Sequence, residues 1–158
     1  MQKVNLDKKS LEIIKQFKLL PHPEGGWFRE ILRSENYVTR KDGEKRNNIT
    51  GIYYMLLKNE ISTWHRVNSA DEIWIYIKGA PLNLWCLDDG NKKLSKLRID
   101  SNNPIEMIPS GYWQAAKSGG EFTLASCCVG PGFDFSDFEM LRNLDASSRP
   151  NKALKELI

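Results

Sequence analysis

Residues 62–79, STWHRVNSADEIWIYIKG, constrain the fold more than any other stretch of this chain. Two extended runs, 63–67 and 72–78, flank Asn68-Ser69-Ala70-Asp71, four residues of the kind that reverse a chain. The second run alternates strictly, with Ile73, Ile75 and Ile77 on one side and Glu72, Trp74 and Tyr76 on the other. A period of two belongs to a strand and not to a helix. The isoleucine side is expected to be an ordinary buried face. The other side sets a carboxylate beside two large aromatics with polar tips. Thr63, His65 and Val67 share one side of the first run. If the two runs pair as a hairpin, His65 and Glu72 lie on the same side of neighbouring strands.

Most of the remaining chain has the same character. The runs 27–35 and 48–57 flank an Asp42-Gly43 loop, and 82–87 and 93–99 flank Asp88-Asp89-Gly90-Asn91. Runs 105–108, 112–116 and 121–129 follow, separated by Pro-Ser-Gly and Ser-Gly-Gly. Short strands at this spacing predict an all-β antiparallel sandwich or barrel. A helix is expected at 7–17, capped by Asp7, with Leu6, Ser10, Ile13, Ile14 and Phe17 as a partial apolar stripe. Pro21 and Pro23 stop it. Residues 151–158 read as a short terminal helix docked through Leu154, Leu157 and Ile158.

The chain's 158 residues suit a single domain. Hydrophobic residues at 41% and charged residues at 27% match an ordinary globular protein with a real core. No apolar run approaches the ~18 residues of a membrane span. The first residues carry no apolar leader core, so a cytoplasmic address is expected. A net charge of +3 gives little reason to expect a nucleic-acid partner. The densest basic patch, 40–46, contains two acids and a turn and is expected to be a solvated hairpin loop. The three cysteines, Cys86, Cys127 and Cys128, form no CxxC pair and read as free thiols in strands.

Several motifs carry a family resemblance. His65-Arg66-Val67, four residues, Glu72, six residues and Gly79 resembles the first motif of the cupin superfamily. The second histidine of that motif is replaced by Val67. Pro109-Ser110-Gly111-Tyr112-Trp113-Gln114 resembles the second motif, with Gln114 in place of its histidine. Pro21-His22-Pro23-Glu24-Gly25-Gly26, Ile52-Tyr53-Tyr54 and Pro131-Gly132-Phe133-Asp134-Phe135 narrow the likeness to the cupin-5 type family. It spans residues 19–141. The resemblance implies a double-stranded β-helix, or jelly-roll barrel, working as a homodimer, and the expected ligand is a small polar molecule, carbohydrate or nucleotide-sugar like.

Cupin barrels usually hold a metal through three histidines and a glutamate. Carried over, this chain offers His65, Val67, Glu72 and Gln114. Valine is no ligand and a glutamine carbonyl is a poor one, so no cofactor is expected beyond a weakly held divalent ion on His65, Glu72 and Gln114. The same residues suit proton transfer, with His65 as base, Glu72 orienting it and Tyr76, Tyr54 or Tyr112 as the opposing acid. This resembles metal-independent, RmlC-like cupin epimerases acting on keto-sugars. Tyr54, Trp74, Trp85, Trp113 and Gln114 are the expected ligand contacts, the tryptophans as flat platforms. Two alternatives stay open: a binding module without chemistry, and a metal-dependent oxygenase or decarboxylase. His22 reads either as a turn-packing residue or as a pocket-lining one.

Overall fold

Alternation in the sequence becomes strand throughout the computed structural model, which describes residues 8–158. Helix α1 (Lys8–Phe17) is followed by β1 (Leu20–Pro21), β2 (Trp27–Arg33), β3 (Tyr37–Thr39), β4 (Lys45–Asn47), β5 (Thr50–Leu57), β6 (Ile61–Val67) and β7 (Asp71–Gly79). Then come β8 (Leu82–Asp88), β9 (Lys93–Ile99), β10 (Ile105–Ile108), β11 (Trp113–Ser118), β12 (Phe122–Gly130) and β13 (Phe138–Met140). Asp7 and Leu6, the expected cap and first stripe residue of α1, lie outside the described residues.

A six-stranded sheet runs β1-β2-β5-β12-β7-β10, and a five-stranded sheet runs β13-β6-β11-β8-β9. Every pairing is antiparallel. The inner faces meet in a core that includes Tyr54, Leu56, Trp74, Leu82, Leu84, Ile99, Ile108 and Ala125. This is the jelly-roll barrel that the strand pattern and the motifs imply.

The central stretch does not form a hairpin. Strand β6 belongs to the five-stranded sheet and β7 to the six-stranded one. The 68–71 turn, with Ser69 at φ +61°, carries the chain from one sheet to the other. His65 and Glu72 therefore face each other across the barrel interior instead of sitting side by side. A turn sequence fixes that the chain reverses, but not whether the two arms bond to each other. Here the arms find better partners, β6 between β11 and β13, and β7 between β12 and β10.

Two further expectations are corrected. The isoleucine side of β7 points out of the barrel and is not buried: Ile73 and Ile77 are 36% and 40% exposed, and Ile105 and Met107 on β10 are 56% and 53% exposed. Helix α1 covers only the far part of that outer face, where Ile13 and Phe17 pack on Tyr53, Met55, Leu57, Phe122 and Leu124. The basic 40–46 loop is not simply solvated either. It is the tip of the β3–β4 hairpin, and Arg40 and Arg46 are pinned on the carboxylate of Asp137, each with a contact of 2.8 Å.

The outer face of the five-stranded sheet is covered by the C-terminal tail. Trp64, Leu87, Trp113 and Ala115 pack against Leu141, Ala153 and Leu157, and Trp64 Nε1 donates to the Leu154 carbonyl at 3.0 Å. The tail docks as expected through Leu154, Leu157 and Ile158, but as turns ending in a 3-10 segment, Lys155–Leu157, and not as an α-helix.

Candidate functional site

The site begins at the turn between β1 and β2. The chain there has to pass under the start of β6, and two glycines make this possible. Gly25 has φ +110°, and a Cβ on it would stand 2.1 Å from the Ile61 carbonyl oxygen. Gly26 has φ +71° and crowds the Met55 carbonyl in the same way. Backbone hydrogen bonds from His22 N to Gly26 O at 2.9 Å and from Thr63 N to Glu24 O at 2.9 Å lock the turn against β6. The result is that both side chains line the cavity of the barrel: His22, for which the sequence left a turn-packing and a pocket-lining reading open, and Glu24, for which it offered no role beyond the turn.

Glu24 is buried, at 5% exposure. Its Oε1 accepts from Ser62 Oγ at 2.8 Å, and its Oε2 lies 3.1 Å from His65 Nε2. The other ring nitrogen of His65, Nδ1, is 2.8 Å from the Thr63 carbonyl, which can only accept, so Nδ1 carries a hydrogen. One proton is then left to share between Glu24 Oε2 and His65 Nε2. Burial pushes the Glu24 carboxyl up and the His65 imidazole down. Both directions favour the neutral pair, with the proton on Glu24 and the lone pair on His65.

Across the barrel, Glu72 is also buried. Its Oε2 accepts from Gln114 Nε2 at 2.5 Å, and Gln114 Oε1 accepts from Trp74 Nε1 at 2.7 Å. Burial, with Glu24 adding to it against the opposing pull of His65, pushes the Glu72 carboxyl up to about 7. It changes charge near neutral pH, where a general base is most useful.

These groups open onto a cavity of about 270 Å³. Its floor is His22, Glu24, His65 and Glu72. Its walls include Tyr54, Ile52, Val67 and Val129, and its collar is Phe28, Phe133, Phe135 and Phe138. The collar rings pack edge to face, with Phe133 and Phe135 centroids 5.1 Å apart. The mixture of apolar wall and a few convergent polar groups is typical of a small-molecule site.

Of the residues picked out from sequence, His65, Glu72 and Tyr54 line this cavity, and Tyr76, Trp74, Trp85, Trp113 and Gln114 do not. Trp74 and Gln114 stand behind Glu72 as its hydrogen-bonded support. Tyr76 lies four residues further along β7, about 13 Å at the usual strand rise, and its hydroxyl donates to the Gly79 carbonyl. Trp85 and Trp113 point to the opposite side of their sheet. Lys96 lies over Trp85 and Arg66 over Trp113. Alternation settles a residue's face, but not which face the C-terminal tail will cover. None of the three expected tyrosines offers a free acid: besides Tyr76, Tyr54 donates to Gly25 O at 2.6 Å and Tyr112 to Asp88 at 2.9 Å.

His65, Glu72 and Gln114 do not fit a metal. The Gln114 carbonyl is occupied by the Trp74 N–H, its amide faces Glu72, and Val67 supplies no donor. Among the described residues no group of three or more His, Cys, Asp or Glu is placed to hold a metal ion. Cys86 and Cys127 are buried free thiols and Cys128 is half-buried, with Cys127 against the cavity. Sequence reading missed Glu24 and the phenylalanine collar. The HPEGG stretch carried a signal for Glu24 and the PGFDF stretch one for Phe133 and Phe135, whereas Phe28 and Phe138 lie outside both.

Comparison with known proteins agrees with this architecture. Residues 11–141 match the family described as Cupin superfamily (DUF985). An uncharacterised protein of Saccharomyces cerevisiae, YML079W, is 31% identical over 153 residues, covering 85% of this chain and 76% of the yeast protein. A hypothetical protein from Leishmania major superposes with a TM-score of 0.76 at 28% identity, covering 82% of this chain and 85% of that one. The protein SO0799 from Shewanella oneidensis superposes with a TM-score of 0.72 at 30% identity, covering 82% of each chain.

Proposed function

We propose, for a chain that belongs to the DUF985 family of the cupin superfamily, that the barrel binds a small polar molecule of the carbohydrate class and moves a proton on it, as an isomerase or epimerase does. One observation carries this reading: Glu72 and the Glu24–His65 pair open onto one cavity from facing sheets. Glu72 is the base. As the carboxylate it takes the proton from a carbon next to a carbonyl, and the electron pair of that C–H bond moves into an enolate. The proton shared by Glu24 and His65 is then returned to carbon from the other side. Exchange with water resets both groups, so the cycle neither consumes nor releases a proton overall. A base on one sheet and an acid on the other suits inversion at carbon.

The test is deuterium uptake from heavy water into a panel of keto-sugars, followed by NMR. Wild type is expected to exchange and Glu72→Gln, which removes the base, to lose exchange with its fold retained. Activity that disappears on exhaustive chelation and returns with iron or manganese alone would replace this reading with a metal-dependent oxygenase or decarboxylase. No exchange, but a melting temperature raised by sugars, would favour a binding module.

A second copy of the chain is the natural cover for the bare apolar face. Ile73, Ile77, Ile105 and Met107 make a contiguous exposed patch on the last two strands of the six-stranded sheet, with β10 as a free edge. Light scattering at micromolar concentration is expected to give the mass of two chains, and Met107→Asp the mass of one. A wild-type mass of one chain would count against the dimer.

A further inference from the structure

His22 does something in this site that the proton-transfer reading leaves unused. The backbone N–H of Glu24 points at His22 Nδ1 at 3.3 Å, and a backbone N–H can only donate. Nδ1 is therefore the lone-pair nitrogen and Nε2 carries the hydrogen. Burial, followed by the opposed effects of Glu24 and His65, keeps this imidazole's pKa below its ordinary value, so the ring is neutral at neutral pH. The ring is gripped edge-on by Phe28 at 4.6 Å, Tyr54 at 5.8 Å and Phe138 at 6.1 Å. Among the described residues nothing accepts from Nε2–H, and no side-chain polar atom is sealed in without a partner. That N–H is a fixed, uncharged donor facing the cavity.

The charges around it set what the donor can hold. Arg33 is the one lysine or arginine among the lining residues described. Its guanidinium is already spent: Nε and Nη2 grip both oxygens of Glu30 at 2.9 and 2.8 Å, and Nη1 donates to Asn47 Oδ1 at 2.9 Å. Both terminal nitrogens also reach the Phe133 carbonyl, at 3.3 and 3.4 Å. An anion entering the cavity would meet Glu30, Asp134 and, once it is ionised, Glu72, with no free cation among the described lining residues to receive it. Desolvating a carboxylate or phosphate there has no compensation.

We infer that the floor of the cavity takes the oxygen of an uncharged carbonyl group, held by the Nε2–H of His22, and turns away carboxylates and phosphates. The inference rests on the proton-transfer reading for the kind of chemistry, and it narrows what enters the site to a neutral carbonyl compound. It gives His22 the role of a binding residue that also polarises the carbonyl, as a neutral imidazole can.

The probes are benzamide, benzoate and phenyl phosphate, which share a ring for the phenylalanine collar and differ in the group that reaches the floor. Titration at neutral pH, followed by NMR, is expected to show benzamide binding roughly tenfold or more tightly than either anion. His22→Leu is expected to weaken benzamide by roughly fivefold, the value of one hydrogen bond, and His22→Gln, which keeps an N–H donor, to recover part of the loss. The chain has two histidines, so the tautomers can be read directly from ¹⁵N-labelled protein. His22 is expected as the Nε2–H form and His65 with hydrogen on Nδ1. Benzoate binding as well as benzamide, no saturable benzamide binding, an unchanged affinity in folded His22→Leu, or an Nδ1–H tautomer for His22 would each overturn the inference. Failure of keto-sugars to exchange deuterium while these affinities hold would strike the proton-transfer reading alone.

Discussion

Asp137→Ala is expected to lower the stability of the fold by about 3 kcal/mol and to loosen the mouth of the cavity, as the breaking of a buried ion pair does. Asp137 Oδ2 receives Arg40 Nη1 and Arg46 Nε, both at 2.8 Å, and Oδ1 receives Arg46 Nη2 at 3.3 Å. The side chains are 8–10% exposed, so alanine would leave two guanidinium groups short of their shared counterion. Asp42 and Glu44 give each arginine a second, more exposed partner, which keeps the loss toward the lower end of the usual range. The triad ties the β3–β4 hairpin to the segment that carries Phe133, Phe135 and Phe138. Urea unfolding measures the first effect, and a drop in benzamide affinity the second. Burial opposes ionisation of Asp137, but hydrogen bonds from Arg46 and Arg40 outweigh it and hold the carboxyl below its ordinary 3.8. A depressed carboxyl stabilises above its unfolded pKa. This contribution therefore persists through neutral pH and is lost as pH falls through the folded value. Unfolding midpoints of wild type and Asp137→Ala that agree at neutral pH would refute the anchoring role.

Glu72→Gln is expected to abolish proton exchange and, at the same time, to stabilise the protein in alkali. The Glu72 carboxyl is raised from 4.5 to about 7 by burial. A raised carboxyl favours the fold below its unfolded pKa, and that favour disappears as pH rises through the folded value. A move from 4.5 to about 7 is worth about 3 kcal/mol. Wild type should therefore lose about that much stability between about pH 4.5 and pH 8, and Glu72→Gln should not. Glutamine keeps an oxygen for the Gln114 amide, so the two proteins should unfold alike at the acidic end. A variant that is inactive and no more stable than wild type in alkali would mean that Glu72 ionises without strain. The same titration governs activity, which should rise with pH around the Glu72 value because the base works as the carboxylate.

The pattern of stability and activity follows from one arrangement. On the proposed reading, a carboxylate that is costly to bury is kept because its pKa then sits where proton transfer needs it. Gln114 and Trp74 limit the cost by holding one oxygen in place. This explains why a glutamine stands where metal-binding cupins have a histidine: it orients the carboxylate, and Trp74 orients it in turn.

How much of this was legible in the sequence differs from part to part. The strands, the barrel and the division of β7 into two faces came from alternation, because a strand's side chains obey a period of two whatever surrounds them. His65 and Glu72 came from the spacing of a motif. Glu24 was hidden inside a turn, because its role depends on Gly25 and Gly26 letting the chain approach β6, which is remote in sequence. The three tryptophans were misplaced because an aromatic on a strand suits a core as well as a ligand. Only the tail decides that Trp113 is covered from outside, and only the distance along β7 decides that Tyr76 is out of reach.

By itself, then, the sequence determined the local geometry: which residues are extended, where the chain turns and which side chains share a face. These follow from backbone sterics and short-range pattern. Only the tertiary structure decided that the two arms of the 68–71 turn separate into facing sheets, that Glu24 meets His65, and that the isoleucines of β7 stay bare. Those outcomes depend on competition among partners far apart in the chain, and burial then sets the charges of Glu24, His65 and Glu72 where they meet.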